Sequence, residues 1–421
     1  MKPYKLSKQA LVLEHEFAMA MRRQVMWGFA FDKNAAVQLY AVLSAKRAEL
    51  DDKLQETFPP IYLDPGHPQG LKTKTKCIEF NPGSRKHIAE RFIQRGWEPQ
   101  RFTPEGKPQI DEAVLSNLSD IGYPEAKLLN EYLMVSKRIS QLAEADGAWL
   151  KLEKGGRIFG DVLTNATITG RCSHRSPNMA QVPNLGSPYG KECRALFTTT
   201  YPDWELIGVD FSGLEIRVCA SYTAAYDKGE LIREVCEGDI HKANQEALNL
   251  PSRDAAKTYL YATLYGAGDE KLGSIVGGGQ AMGRRLKKRF YERWPGVAKL
   301  QHRIDRTIKD RGYLTGLDGR ILPVRSHASL NTLLQSGGAV LMKKFTVALH
   351  QRMAAEGYEF GKHWAQVAHI HDEVQIECEK SISQTVEEIA LGEISKSGSD
   401  FGFKCPLAGE ASRGANWSQT H

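Results

Sequence analysis

No Cys-x-x-Cys pair occurs anywhere in the 421 residues, and the seven cysteines (Cys77, Cys172, Cys193, Cys219, Cys236, Cys378 and Cys405) are odd in number and scattered. That spacing speaks against a zinc site and against a disulfide framework, and predicts reduced thiols, most of them buried. No apolar run approaches the length a bilayer demands. The opening "MKPYKLSKQALVLEHEF" breaks its apolar residues with Lys, Glu and His, so it lacks the apolar stretch of a secretory signal, and a cytosolic home is expected. Internal repeats and low-complexity tracts are also missing. Nor is one charge dominant: 56 Lys and Arg face 50 Asp and Glu, a net +6. With 41% hydrophobic and 25% charged residues in 47.0 kDa, the composition is that of an ordinary globular protein with two or three subdomains.

The mild basic excess is locally concentrated. "GRRLKKRF" places five basic residues between Gly283 and Phe290, and "LKTKTKC" spaces Lys72, Lys74 and Lys76 on alternate positions. Either patch alone reads as a solvated face; two together point towards a polyanionic partner.

The chain alternates in character. Asp32 caps a long amphipathic helix that runs to about Phe58 and stops at Pro59 and Pro60; a loop continues to Cys77. A shorter helix is expected between the Ser84 cap and Gly96, and another from Ala126 to Ala145. "RIFGDV" and "WELIGVDFS" are β-rich, residues 222–311 return to helices, "YLTGLDGRILPV" has the pattern of a hairpin, and Asn331 to Ala355 forms a further long helix. This order predicts an α+β fold with a helical insertion in its sheet domain.

Two acidic stretches stand out. In "HIHDEVQIE", Val374, Ile376 and Cys378 alternate with Gln375 and Glu377, the period of a half-buried strand. A tight turn would push Asp372 out at its tip, with Glu373 beside it. In "LIGVDFSGLEIR" an apolar strand ends at Asp210 before a helix carrying Glu215 and Arg217. Asp210 could be no more than a helix cap. If the sheet brings it beside Asp372, however, two neighbouring carboxylates need divalent cations to neutralise them, and hard oxygen ligands with few protein donors favour magnesium. A third stretch, "SRDAAKTYLYATLYGAG", repeats Arg253, Lys257, Tyr261 and Tyr265 every fourth residue along one helical stripe. Two cations followed by two rings make a poor core face. They suit a nucleotide, with phosphates on the cations and a ring against base or sugar; an exposed helix with aromatic stems is the bland alternative.

Together these stretches resemble the three motifs, in order, of the family A (DNA polymerase I-like) DNA polymerases. "TGRCSHRSPNMAQVPN", "GDIH", "NTLLQSGGA" and the terminal "NWSQTH" also resemble that family. "SPYGKECRALF", "YGAGDEK" and "GLDGR" are closer still to the replicative polymerases of T-seven-like bacteriophages. The resemblance implies a right-hand polymerase fold with an antiparallel palm sheet and helical fingers and thumb. The N-terminal helices and thumb would occupy residues 1–150, the palm 151–221 and 326–421, and the fingers 222–325. It implies a DNA-directed DNA polymerase that joins deoxynucleotides to a primer 3′ end by two-metal-ion nucleotidyl transfer, in phage replication within a bacterial cytosol.

Site roles follow from the same resemblance. Asp210, Asp372 and the carbonyl of Phe211 would bind two Mg²⁺ ions. His241, Arg253 and Lys257 would grip the incoming phosphates, with Lys257 also a proton donor to pyrophosphate. Glu215 would occupy the space of a ribose 2′-hydroxyl, and Tyr261 would admit dideoxynucleotides. Arg171, Tyr265, Asn331, Gln335 and His371 would meet primer or template, the alternative for Arg171 and Gln335 being a satisfied structural polar residue. The lysines of the first 150 residues would contact duplex phosphates, giving binding that weakens with salt.

Two departures from the relatives carry expectations of their own. The chain begins where relatives begin their polymerase part, so a 3′→5′ exonuclease domain is expected to be absent, or on a separate polypeptide. Between Phe58 and Cys77 there are about twenty residues where the T-seven-like enzymes carry a long thumb insertion for thioredoxin, so thioredoxin is not an expected partner. Primer-template DNA and deoxynucleoside triphosphates are the expected ligands of a monomer with no membrane contact. A catalytically silent DNA-binding subunit and a two-metal nuclease are the competing readings. The first would have lost a metal carboxylate or a phosphate-gripping cation; the second would need a denser acidic cluster.

Overall fold

The computed structural model describes residues 7–68, 70–324 and 328–420. The first six residues of the opening stretch and His421 of "NWSQTH" lie outside the described residues. Contacts divide the chain into two units. One comprises the chain up to Phe31, Arg157–Val182 and everything from Phe197 onward; the other comprises Asp32–Gly156 and Pro183–Leu196. Every sheet is antiparallel and helices supply most of the remainder, an α+β arrangement.

The smaller unit is helical. Asp32 caps the Lys33–Thr57 helix by accepting from Ala35 N–H, and Ser84 caps Arg85–Gln94 through His87 N–H, both at the predicted positions. Leu54, Phe58, Ile88, Phe92, Leu115, Leu118 and Leu129 share one core. Two expectations need correction. The connection to Cys77 is no plain loop, because Ile61–Leu63 and Lys76–Ile78 pair as a short hairpin. The helix expected to reach Ala145 is α-helical only over Glu125–Ile139 and widens into a π turn over Ser140–Glu144.

The larger unit is built on a four-stranded sheet in the order Trp364–Ile370, Glu373–Glu379, Trp204–Phe211, Gly409–Gly414. Against it lies the Ser329–Ala355 helix, whose residues are buried on almost every face. Gly337 and Gly338 in its middle are what let a neighbour approach: a Cβ on Gly337 would come within 2.6 Å of Val218, and one on Gly338 within 3.3 Å of Leu214. Two helix glycines cost about 1 kcal/mol each relative to alanine. Here they let the Leu214–Asp227 helix, which carries Glu215, pack close against the Ser329–Ala355 helix. The first helix, Lys8–Trp27, packs Leu13, Phe17 and Met21 against Val340 and Val347. Among the described residues no helix is long and apolar enough to cross a membrane.

A band of charge and imidazole is buried beneath the sheet. The Lys343 ammonium, 1% exposed, lies 2.5 Å from the Glu14 carboxylate; Glu14 also pairs with Arg320 at 2.7 Å, and Arg320 with Asp318 at 2.6 Å. The alternating signs leave no net buried charge. The His369 ring stands edge-on to Phe17 with centroids 5.0 Å apart, and neither of its nitrogens meets a protein partner. His350 is hydrogen-bonded to Gln366 at 3.2 Å. Burial pushes the imidazoles of His174 and His350 down to about 4 and that of His369 down to about 3.

Folding therefore holds three histidines neutral that the unfolded chain protonates below its ordinary value of about 6.5. Their contribution to stability is complete above that value and is lost as pH falls towards 4. Urea unfolding at pH 7.5 and pH 5.0 should show this, with a loss of roughly 2 kcal/mol per histidine. His369→Phe should shrink the loss by one such share; an unchanged acid sensitivity in that variant would count against the assignment.

Candidate active site

The central strand Trp204–Phe211 pairs with Glu373–Glu379 so that Asp210 lies opposite Glu373 and Val209 opposite Val374. Beyond the last pair, Phe211 N–H donates to the carbonyl of Asp372 at 3.1 Å. Two acidic residues far apart in sequence are thereby brought to neighbouring positions at one end of the sheet. Gly409–Gly414 pairs on the other side and sets Glu410 opposite Asp210. Ile370 and Glu373 close a two-residue turn of His371 and Asp372. His371 takes a left-handed φ of 55°, which costs a non-glycine residue roughly 1–2 kcal/mol. It therefore belongs to the turn and does not extend the strand face of Val367 and His369.

Asp372 is exposed, yet the protein around it thins the water enough to hold its carboxyl above the ordinary range. A main-chain hydrogen bond and the charges of His371 and Arg171 pull the other way, and Glu215 adds to the rise. Among the described residues no group of three or more His, Cys, Asp or Glu is placed to hold a metal. The available donors are hard oxygens on Asp210, Asp372 and the Phe211 main chain. Such a set fits Mg²⁺, which takes one or two carboxylates and fills its shell with water and substrate phosphate.

The expectation of a half-buried strand does not hold. Gln375 and Glu377, placed by alternation on an open face, are fully buried. Their polar atoms are paired instead. Glu377 accepts from Thr200 N–H at 2.6 Å and from the Trp27 indole, and Gln375 accepts from the Thr420 hydroxyl at 2.7 Å. Glu373 also turns inward, 6% exposed, and accepts from the Trp417 indole at 2.6 Å and from Gln375 at 2.7 Å. The tail that supplies Trp417 and Thr420 sits against Gly208, where a Cβ would meet the Thr420 carbonyl at 1.8 Å. A glycine in the middle of the central strand is thus required by this close approach.

Glu215 begins the helix after Asp210 and is 8% exposed. Arg171 donates to one of its carboxylate oxygens at 2.6 Å, and the Tyr265 hydroxyl donates to the other. Burial, reinforced by Glu215, drives the Tyr265 phenol upward. Beside Arg171 in the chain, Gly170, with φ of 79°, lies against the Arg320 guanidinium, which a Cβ would meet at 2.2 Å.

The Arg253–Leu264 helix, capped by Ser252, buries Ala256, Tyr259, Leu260 and Thr263 and turns the predicted stripe outward. The Tyr261 ring lies 6.3 Å from His241 and 6.2 Å from Tyr265. Burial raises its phenol first, and the charges of Glu215 and Asp372 add to the rise. Arg253 is engaged by Asp239 at 2.8 Å. Asp239 also caps the Ile240–Leu248 helix, and the arginine hydrogen bond draws its carboxyl down to about 2. His241 is lowered by burial and by the neighbouring Arg253 charge. Lys257 is exposed on the same face. Asn331 and Gln335 lie one turn apart on the Ser329–Ala355 helix, and the Asn331 side-chain oxygen is buried without a partner.

The pairing thus unites Asp210, Phe211 and Asp372; Glu215 gathers Arg171 and Tyr265; Tyr261 links that cluster to His241. Asn331 and Gln335 are located on the Ser329–Ala355 helix. Asp239, Trp417 and Arg320 were missed as supports. The helix-cap position of Asp239 was a readable signal. The contacts of Trp417 and Arg320 left none.

The sequence description of DNA polymerase family A matches residues 69–419. The chain is 37% identical to the DNA-directed DNA polymerase of Enterobacteria phage T3 over 99% of its length and 70% of that protein. It is 37% identical, with the same coverage, to that of Escherichia phage T7. Among solved structures, the POL domain of Pol1 from M. smegmatis, in complex with DNA primer-template and dNTP, matches with a TM-score of 0.82. The match is at 18% identity over 96% of this chain and 70% of that one, a likeness of fold.

Trp417→Phe should retain the packing of the ring between Phe29 and Phe197, 5.7 and 5.5 Å away, and remove only the indole donor to Glu373. Glu373 keeps its Gln375 donor, so the loss is that of one hydrogen bond to a charged group, about 1.5–3 kcal/mol. Urea unfolding should report that loss; a variant as stable as the parent would show that the clamp carries no weight.

Proposed function

The chain belongs to DNA polymerase family A and is a DNA-directed DNA polymerase, and on that premise we propose that it extends primer 3′ ends by two-metal-ion nucleotidyl transfer, as a phage replication enzyme. The observation that carries this reading is the hydrogen bond from Phe211 N–H to the Asp372 carbonyl, which registers Asp210 and Asp372 at the same sheet end.

Asp210, Asp372 and the Phe211 carbonyl are the residues that would hold Mg²⁺; when bound, the two ions supply a lowered pKa at the primer 3′-hydroxyl and stabilise charge on the leaving pyrophosphate. The remaining work falls to side chains. Arg253 and Lys257 bind the triphosphate, with Arg253 exchanging Asp239 for phosphate oxygens. Lys257 delivers a proton to the departing pyrophosphate oxygen, and His241, kept neutral, donates a hydrogen bond without adding charge. Glu215, fixed by Arg171 and Tyr265, fills the space a ribose 2′-hydroxyl needs. The Tyr261 hydroxyl takes the place of a missing 3′-hydroxyl in a chain terminator. Arg171 and Gln335 sense minor-groove acceptors common to all correct pairs, while Tyr265, Asn331 and His371 meet template and primer terminus. In this assignment residues 1–150 form the N-terminal helices and thumb, residues 222–325 the fingers, and residues 151–221 with 326–421 the palm. Thioredoxin has no part.

Extension of a labelled primer with Mg²⁺ and four deoxynucleotides tests the core of the proposal. Asp210→Ala and Asp372→Ala should each slow addition by about 10³-fold or more while leaving primer-template binding measurable. Full addition by either variant would refute it. Glu215→Ala should admit ribonucleotides, and Tyr261→Phe should reject dideoxynucleotides more strongly than the parent; unchanged selectivity in both would remove the assigned roles.

A further inference from the structure

The two cysteines Cys236 and Cys405 are 169 residues apart in sequence, yet their sulfur atoms lie 3.8 Å from each other. Cys236 ends the Glu230–Glu237 helix and is exposed; Cys405 is buried. A guanidinium faces them: Arg217 Nη1 lies 3.4 Å from Cys236 Sγ and donates to the Pro406 carbonyl at 2.6 Å, and Arg217 Nε donates to the Ser212 carbonyl at 2.7 Å. We propose that Cys236 and Cys405 form an oxidation site for a peroxide-class oxidant, with an intramolecular disulfide as its product.

The roles differ because the environments differ. Burial pushes the Cys405 thiol up to about 12, so it stays protonated and out of reach. Cys236 is open to solvent, with the Arg217 guanidinium against its sulfur, so an oxidant reaches it first. The Cys236 sulfur takes one oxygen from hydrogen peroxide, releasing water and leaving a sulfenic acid. Cys405 then attacks that sulfur: the S–S bond forms, the S–O bond breaks, and the Cys405 proton leaves with the hydroxyl as a second water. Two thiols are oxidised by two electrons and one peroxide is reduced to two waters. A disulfide needs a sulfur separation of about 2.05 Å, so the two sulfurs must close in from the observed 3.8 Å contact.

The bond would join two segments on either side of the candidate site. After Cys236 the chain reaches Asp239, the partner of Arg253. After Cys405 it reaches Ala408, whose carbonyl accepts from Ser212 N–H, and then the strand that sets Glu410 opposite Asp210. The proposal rests on the thiol geometry alone and stands or falls separately from the polymerase assignment.

Treatment of the folded protein with equimolar hydrogen peroxide, followed by thiol titration with DTNB in denaturant and peptide mapping, tests it. The expected result is loss of two of the seven titratable thiols, a peptide joining Cys236 to Cys405 that is two hydrogens lighter than its parts, and full recovery with dithiothreitol. Cys236→Ser and Cys405→Ser, each checked for folding by circular dichroism, should lose no thiol to a cross-link. Seven thiols surviving, sulfinate at Cys236 without the linked peptide, or the same two-thiol loss in Cys236→Ser would overturn the proposal.

Discussion

The antiparallel register between the central strand and the hairpin that follows the long helix is the constraint on which this molecule depends. A slip of one residue would turn every side chain of the hairpin strand to the opposite face, parting Asp210 from Asp372. Apolar burial alone would specify this weakly, because the strand is buried on both faces. Polar groups make up the difference. Glu373, Gln375 and Glu377 each meet a donor or acceptor at one fixed position, supplied by Trp417, Thr420, Thr200 and Trp27. Any other register would strand buried carboxylates without partners, at a penalty of several kcal/mol. The sheet is locked by the groups a core usually excludes.

A second theme is that residues of the site are already occupied by partners from the same chain. Arg253 rests on Asp239, and Glu215 is held from both sides by Arg171 and Tyr265. Such pairs keep flexible side chains ordered and limit the entropy lost when a ligand arrives. They also set a threshold. An anion that takes Arg253 must outcompete a carboxylate. Glu215 differs in being deeply seated, with a donor on each of its two carboxylate oxygens.

Much of this was legible in the sequence, and the parts that were not share a cause. Helix caps at Asp32 and Ser84 and the hairpin around "GLDG" are local signals, set by residues a few positions apart, and they appear where expected. The Arg253 stripe was readable because a four-residue repeat maps directly onto one helix face. Alternation failed at Gln375 and Glu377, since it distinguishes polar from apolar residues but cannot tell a solvent-facing polar group from one buried against a distant donor. Trp27 and Thr200 lie more than 170 residues from Glu377. The contact of Arg320 with Gly170 is hidden for the same reason. Nearness in space between remote segments leaves no periodic trace, and only the resemblance of whole motifs anticipated that Asp210 and Asp372 share one end of the sheet.

The strand order of the main sheet bears on how the chain is made. Trp204–Phe211 lies in the interior of that sheet, but it leaves the ribosome long before either neighbour: the hairpin strand follows roughly 160 residues later and the edge strand about 200. At a synthesis rate of about 5–20 residues per second, an apolar strand waits on the order of 8–32 seconds with both of its hydrogen-bonding edges bare. Unpaired edges of that kind are templates for intermolecular pairing. Shelter during translation, by the helices that emerge in between or by a chaperone, is therefore a burden this topology places on the cell that makes it.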